Sequence, residues 1–331
     1  MNSSKSGIQE EPITTTELNG LRCLVLGGTG FIGLHLCQRL AESGAKVRSF
    51  AIPPALGTRR TTFGNQIDWM WGDFGDAELV RESLRNIDVV FHLISTSLPA
   101  SSNEDPRADL SSNVLSTLQM LEAAKALSIQ KVIFFSSGGT VYGIPNRTPI
   151  PEDHALNPIC AYGVHKVVIE KYLYLFHHLW GLNYVVLRPS NAYGPGQAIH
   201  RPQGAVAHFV RKMIDREPVE IWGDGNAVRD YIYIDDLIDA CMRAVTYDGP
   251  SRVFNIGTGK GHTLLELIAA IESLMGEKAD IHFRDARHVD VPINILDVSR
   301  ARNELSWRPA VSLQTGLRLL FEKIVEMPAV S

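Results

Sequence analysis

The sequence predicts an α/β protein: a doubly wound parallel sheet followed by a smaller, mixed α/β lobe toward the C-terminus. Two observations lead there. Strand-like apolar runs alternate with amphipathic helical segments over the first 190 residues or so, with short connections. The first of these strands also runs directly into a glycine-rich turn, LRCLVLGGTGFIG at residues 21–33. Strict alternation with short connections makes neighbouring strands parallel and places the crossing helices on both faces of the sheet.

Residues 1–19 are polar and rich in Ser and Thr, and they read as a disordered leader without the apolar core of a signal peptide. Residues 21–26 form the first strand, 31–43 a helix and 46–50 the second strand. A strand at 67–71, a helix at 76–84 and a strand at 88–94 follow. One long helix is expected over 108–127, a strand at 131–136, a second long helix over 162–180 and a strand at 184–187. The strands are short apolar runs, and the helices repeat apolar residues every three to four positions. Beyond 188 the pattern loosens into Pro-, Gly- and Asn-rich turns, with helices near 205–215 and 233–247, a strand at 252–256 and helices at 263–275 and 313–327. Residues 20–187 therefore read as a dinucleotide-binding domain. Residues 188–331 read as a lobe over the carboxyl edge of the sheet, with a segment near 232–257 returning to the first domain.

Size and charge narrow the function. A chain of 331 residues that is 45% hydrophobic supports a large core. A net charge of −4 offers no electrostatic footprint for nucleic acid or anionic membrane, and no apolar run reaches transmembrane length. Cys23, Cys37, Cys160 and Cys241 are widely separated and read as buried thiols of a cytoplasmic protein. His200 and His208 lack partners at metal spacing, and His177 and His178 read as packing or surface residues. No metal is expected.

The glycines carry the first functional signal. Gly27 and Gly28 allow a tight turn out of the strand. Gly30 lets the backbone approach a pyrophosphate, and Gly33 lets the helix pack closely on the strand, its N-terminal N–H groups facing the anion. Such a loop alone is often only a turn. The strand before it and the helix after it select the cofactor reading.

The segment AYGVHK at 161–166 carries the second. Tyr162 and Lys166 stand four apart and share a helical face. A free phenol has a pKa of about 10 and is ionised about once in a thousand molecules at neutral pH. Nearby positive charge favours the phenolate, and bringing the phenol to half-ionisation at neutral pH requires roughly 4 kcal/mol. A phenol tuned in this way accepts the proton of a sugar hydroxyl as hydride leaves the carbon.

Together, GGTGFIG at 27–33, SSGGTVYG at 136–143, Tyr162 with Lys166, and LRPSNAYGP at 187–195 resemble the extended short-chain dehydrogenase/reductases. Within these the motifs are most similar to the NAD-dependent sugar epimerase/dehydratase family, and in particular to its UDP-hexose 4-epimerases. The resemblance runs from about residue 21 to 320. It implies a Rossmann-type cofactor domain, NAD, and a nucleotide-diphosphate sugar, UDP-linked, as substrate. Tyr162 would be the acid/base, and Lys166 would hold the nicotinamide ribose and lower the phenol pKa. The resemblance also places Phe31, Ile32, Asp73, Phe74, Leu93, Ser95, Asn113, Ser136 and Pro189 around the cofactor. Asn191 and Arg229 would hold the substrate diphosphate, and Arg287 and Asp290 its phosphate and ribose. Arginine suits phosphate because its planar fork makes paired, charge-assisted hydrogen bonds. In this family the helices equivalent to 108–127 and 162–180 also pair across a two-fold axis, which implies a homodimer.

Two departures bear on the chemistry. The catalytic Ser or Thr of the family falls at Gly138, so its hydroxyl would come from Ser137, Thr140 or water. The acidic residue that bonds the adenosine ribose and selects NAD falls at Ala51, and Arg59 and Arg60 in the next loop leave NADP open. A 4-epimerase leads. A 4-ketoreductase using NADPH, a 4,6-dehydratase and a non-catalytic cofactor sensor are the alternatives. Gly139 and Thr140 stand where the dehydratases carry an Asp-Glu pair. Asn294 falls where side-chain bulk decides whether an N-acetyl group fits, and Asn is smaller than the Tyr of strict glucose/galactose enzymes.

Overall fold

Strand β1 (Arg22–Leu26) sends Cys23 and Val25 to one face and Leu24 and Leu26 to the other, and all four are fully buried. A strand apolar on both faces must lie inside a sheet covered on both sides. The computed structural model describes residues 18–53, 66–197, 204–286 and 291–326. After β1 come α1 (Phe31–Glu42), β2 (Lys46–Ala51), β3 (Ile67–Trp71), α2 (Ala77–Ser83) and β4 (Val89–His92). Then follow α3 (Pro106–Asp109), a π-helical turn (Leu110–Leu115), α4 (Ser116–Ala126), β5 (Lys131–Phe135), α5 (Ala161–Trp180) and β6 (Asn183–Pro189). The second half holds β7 (Asn191–Tyr193), α6 (Ala205–Ile214), β8 (Val219–Trp222), β9 (Val228–Tyr233), α7 (Ile234–Thr246) and β10 (Val253–Ile256). It ends with β11 (Gly261–Thr263), α8 (Leu264–Met275), β12 (Ile281–Arg284), β13 (Ile293–Asn294), α9 (Ser299–Glu304) and α10 (Leu313–Glu326).

Seven strands form one sheet in the order β10-β6-β5-β4-β1-β2-β3, and every pair in it is parallel. The order reverses between β1 and β4. A crevice opens outside the carboxyl ends of the strands at such a switch point. Two apolar cores fill the two faces, one around α1, α7 and α8, the other around α2, α4 and α5. Short strands outside the main sheet pair as β11-β9-β13 with β7 on β9, and as β12-β8.

Leu18 is 1% exposed in the core, and its carbonyl accepts from the Leu21 N–H. The rest of the expected leader lies outside the described residues. The helix expected over 108–127 is not continuous. Ser112 Oγ donates to the Ala108 carbonyl, Asn113 Nδ2 to Asp109 O and Thr117 Oγ1 to Asn113 O, at 2.6 to 2.9 Å. Side-chain donors that compete for helix carbonyls loosen the i−4 ladder, and here the chain takes a π turn.

Candidate active site

The glycine turn is built as its spacing requires. Gly27 has φ +93°, in the left-handed region, and its N–H donates to the Phe50 carbonyl at 2.8 Å. A Cβ on Gly33 would stand 2.2 Å from the Gly27 oxygen and 2.8 Å from Gly28 Cα, so only glycine lets α1 close on β1. Gly30 caps α1 with no side-chain hydrogen bond. The N–H groups of the turn that begins at Phe31 and Ile32 are those an anion would meet. Leu93 leaves β4 beside this loop, its N–H donating to the Leu26 carbonyl at 3.0 Å. The cradle fits a dinucleotide pyrophosphate.

At the next strand ends, the Ala51 carbonyl accepts from the Gly72 N–H at 3.0 Å, which sets Asp73 close to the place where the ribose-binding acid is missing. Asp73 is exposed and accepts from the Gly75 N–H at 2.8 Å. Phe74 is buried, its ring 5.1 Å from that of His92.

Tyr162 and Lys166 lie on the first two turns of α5. Ser102 Oγ accepts from the Tyr162 N–H at 3.0 Å, and Asn103 Oδ1 from the Ala161 N–H at 2.8 Å. A loop 60 residues away thus supplies the helix cap. Lys166 is 2% exposed and donates from Nζ to the Phe135 carbonyl at 2.9 Å, with Nζ 5.4 Å from the centre of the Tyr162 ring. Burial pulls Lys166 down to about 7, against the opposite pull of Asp109 and Glu170. Burial also pushes the Tyr162 phenol up, with Cys160 and Asp109 adding to the rise. Burial thus opposes ionisation of the phenol.

The turn after β5 answers the missing hydroxyl. A Cβ on Gly138 would meet Leu296 Cδ1 at 2.5 Å, the Arg188 carbonyl at 2.9 Å and the Pro189 carbonyl at 3.0 Å, two of these being rigid backbone. Gly138 also donates to the Pro189 carbonyl at 2.8 Å and accepts from Asn294 Nδ2 at 2.9 Å. We expect Gly138→Ser to lower stability by about 1–3 kcal/mol and to raise no activity, as urea titration and turnover assays would show. A gain in turnover would contradict this packing argument. Thr140 stands beside the first turn of α5, where a Cβ on Gly163 would come 2.8 Å from its carbonyl. The Thr140 hydroxyl is buried with no hydrogen-bond partner among the described residues. Ser137 is half-buried, and its carbonyl accepts from the Val141 N–H at 3.2 Å.

Other expected residues separate by what they touch. Ser136 is buried and gives its hydroxyl to Glu170 at 2.5 Å. Ser95 donates to the Ser97 carbonyl at 3.1 Å. Asn113, within the π turn, is 3% exposed and brackets Thr96, accepting from its N–H at 3.0 Å and donating to its Oγ1 at 2.8 Å. Asn191 donates to the Asp230 carbonyl at 3.0 Å and pairs in register with Tyr231. Arg229 on β9 is paired with Asn294 on β13, so both reach the same end of the small sheet. Asn294 is 1% exposed, and its Oδ1 has no partner among the described residues. Arg59, Arg60, His200, Arg287 and Asp290 lie outside the described residues.

Several residues that shape this edge gave no sequence signal. Asp230 is fully buried and binds the Thr258 and Gly259 N–H groups at 2.8 and 3.0 Å. Burial raises its pKa, against the backbone N–H groups that favour the charge. Glu170 and Arg188 form a buried ion pair, and Arg188 Nη1 donates to the Tyr142 hydroxyl at 2.9 Å. Only the i, i+4 step from Lys166 to Glu170 is readable in the sequence.

A parallel switch-point sheet, a glycine cradle beside a bare helix N-terminus and a Tyr–Lys pair on one helix face, the lysine buried and the tyrosine half-buried, define a dinucleotide-dependent enzyme of the doubly wound class. The chain belongs to the NAD dependent epimerase/dehydratase family, which it matches over residues 23–257, and NAD is its cofactor. It is 37% identical over 313 residues to a dTDP-4-dehydro-6-deoxyglucose reductase of Escherichia coli, covering 91% of this chain and 96% of the relative. It is 35% identical over 301 residues to a UDP-glucose 4-epimerase of Mycolicibacterium smegmatis, covering 90% and 96%. The crystal structure of UDP-glucose 4-epimerase from Thermotoga maritima with UDP-glucose superposes with a TM-score of 0.87 at 35% identity, covering 92% of this chain and 99% of that one.

Proposed function

We propose that the protein is a UDP-hexose 4-epimerase. The observation that carries this reading is the Tyr162–Lys166 pair, its lysine buried and its tyrosine half-buried, held at the same sheet edge as the glycine cradle, with the Thr140 hydroxyl, which has no partner among the described residues, beside it. NAD, when bound, supplies a positive ring that accepts hydride from C4 and returns it to the opposite face after the 4-keto sugar turns. Tyr162 takes the proton of the 4-hydroxyl and gives it back on the other epimer. Lys166 is the cation that α5 brings beside that phenol and the nicotinamide ribose. Thr140, rather than Ser137, is the hydroxyl that steadies O4, because it is buried and otherwise unsatisfied. Asn191, Arg229, Arg287 and Asp290 hold the uridine diphosphate. The exposed carboxylate of Asp73, close to Ala51, supports NAD over NADP.

Asn294 leaves room for a 2-acetamido group, and its bare Oδ1 can accept that group's N–H, so N-acetylhexosamines belong to the substrate range. The apolar surface on α5 and the π turn, with Leu110, Leu115, Val164, Leu179 and Trp180 exposed, is the face of a homodimer. The four buried, unpaired thiols suit a reduced, cytoplasmic setting.

The second reading, a 4-ketoreductase, is favoured by Ala51 and by the likeness to the reductase. One preparation separates the two. Purified without added cofactor, an epimerase carries bound NAD(H) by absorbance, elutes at dimer mass by light scattering, and converts UDP-glucose, UDP-GlcNAc or UDP-glucuronate to the 4-epimer. Cofactor-free protein that consumes NADPH with a 4-keto sugar would replace the epimerase reading. Failure on UDP-GlcNAc alone would overturn the Asn294 argument.

A further inference from the structure

Beneath the first turns of α5 lies a buried polar unit that the proton transfer above does not use. Asp109 is 5% exposed and His165 3% exposed. His165 Nδ1 stands 2.8 Å from Asp109 Oδ2. Asp109 Oδ1 accepts from Ser97 Oγ, and from Asn113 Nδ2 at 3.3 Å. A carboxylate only accepts, so Nδ1 carries the imidazole proton and Nε2 is bare. Nε2 is buried with no partner among the described residues. Burial, helped by Lys166, holds His165 down to about 4 against the pull of Asp109, so the ring is neutral at physiological pH. The imidazole meets the Tyr162 ring edge-on, with centroids 5.0 Å apart, and the next residue is Lys166.

The π turn is part of this arrangement. Asp109 directly precedes it, and Asn113 within it reaches both Asp109 Oδ1 and Thr96; π turns are frequent near functional sites. The unit therefore sets the Asp109 side chain against the turn that carries both proton-transfer residues. The titratable groups that face Lys166 are Asp109 from α3, His92 from β4, and Tyr162, His165 and Glu170 from α5, the last already bound to Arg188 of β6.

We propose that Asp109 and His165 are positioning residues for Tyr162 and Lys166: the imidazole, hydrogen-bonded to Asp109, fixes that carboxylate as the counter-charge of Lys166 and forms the wall against which the phenol ring is set. The proposal rests on the reading of Tyr162 and Lys166 as the proton-transfer pair. A negative charge favours the protonated form of both groups, so removing it moves both limbs of the kcat–pH profile to lower pH.

The test uses the full-length holoenzyme with the UDP-sugar it turns over fastest, and the variants Asp109→Asn, His165→Leu and His165→Asn. Asp109→Asn should move both limbs down by about one pH unit. It should also lower kcat at pH 8 by about 10- to 100-fold, with KM within about threefold. His165→Leu keeps the Asp109 charge and should lower kcat at pH 8 by a similar factor, with the limbs displaced less than in Asp109→Asn. His165→Asn, which keeps an N–H donor where Nδ1 stands, should recover kcat to within about threefold of wild type. Wild-type limbs and kcat in Asp109→Asn, or His165→Asn as impaired as His165→Leu, would overturn the proposal. If Asp109→Asn does not fold, the His165 pair decides. Turnover by Tyr162→Phe would instead bring down the underlying reading, whereas an inert Tyr162→Phe with wild-type limbs in Asp109→Asn would bring down this proposal alone.

Discussion

Tyr162→Phe should lower kcat for 4-epimer formation by about 10²- to 10⁴-fold, the range for losing a positioned acid/base. The change deletes one oxygen and leaves the ring packed edge-on against His165. Lys166 keeps its bond to the Phe135 carbonyl, and the glycine cradle is untouched. Bound cofactor measured by absorbance should therefore match wild type, and sugar KM should change little, because the interaction lost is made in the transition state. An unimpaired Phe variant would remove Tyr162 from the reaction and with it the epimerase reading.

Much of this was legible because it is local. The 21–33 run encodes a strand, a turn and a helix within thirteen residues, and the structure builds all three where the glycines demand them. The i, i+4 spacing of Tyr162 and Lys166 put them on one face without tertiary information. What stayed hidden is non-local or sterically decided. Asp109 meets His165 across 56 residues, and nothing in either segment announces the other. The π turn arises from side-chain donors of Ser112, Asn113 and Thr117 inside a stretch whose apolar pattern is that of an ordinary helix. The absence of a hydroxyl at Gly138 left Ser137, Thr140 or water to supply it, with no sequence reason for the glycine. It is explained by Leu296 and two carbonyls that leave no space for a Cβ. Strands β7, β11 and β13 have two or three residues each, too few for any alternation to show. The phenol pKa also depends on burial, which spacing does not report.

The second large effect concerns stability. Arg188→Met should cost about 3–5 kcal/mol, because it strands the Glu170 carboxylate in the interior. The two side chains are only 4% and 5% exposed, with Nη2 2.5 Å and Nε 2.9 Å from the carboxylate oxygens. Arg188 also serves the Tyr142 hydroxyl, which in turn donates to Asn255 Oδ1 at 2.6 Å, so the loss spreads along a buried chain of polar groups. An unpaired buried carboxyl has its pKa raised above the unfolded value. Its protonated form is then favoured by folding, so the deficit should grow as pH rises from the carboxylate range toward neutrality. Urea unfolding of wild type and variant at pH 5 and 7.5 reads both effects. Glu170→Leu combined with Arg188→Met should recover about half of the loss or more, since replacing a whole buried pair costs far less than breaking it. A single variant within about 0.5 kcal/mol of wild type would show that the pair is not desolvated as described.

The seven-stranded sheet has a further consequence. Its outermost strand beyond β6 is β10, which the chain reaches only after building β7, β8 and β9 and laying α7 against α1. The polypeptide leaves the main sheet after β6, builds β7, β8 and β9 outside it, and goes back to add the edge strand. No single cut yields two self-sufficient fragments, so the halves cannot be shuffled among genes like beads on a string. A lineage that changes what it accepts has to do so by swapping side chains inside a frame whose connectivity is locked.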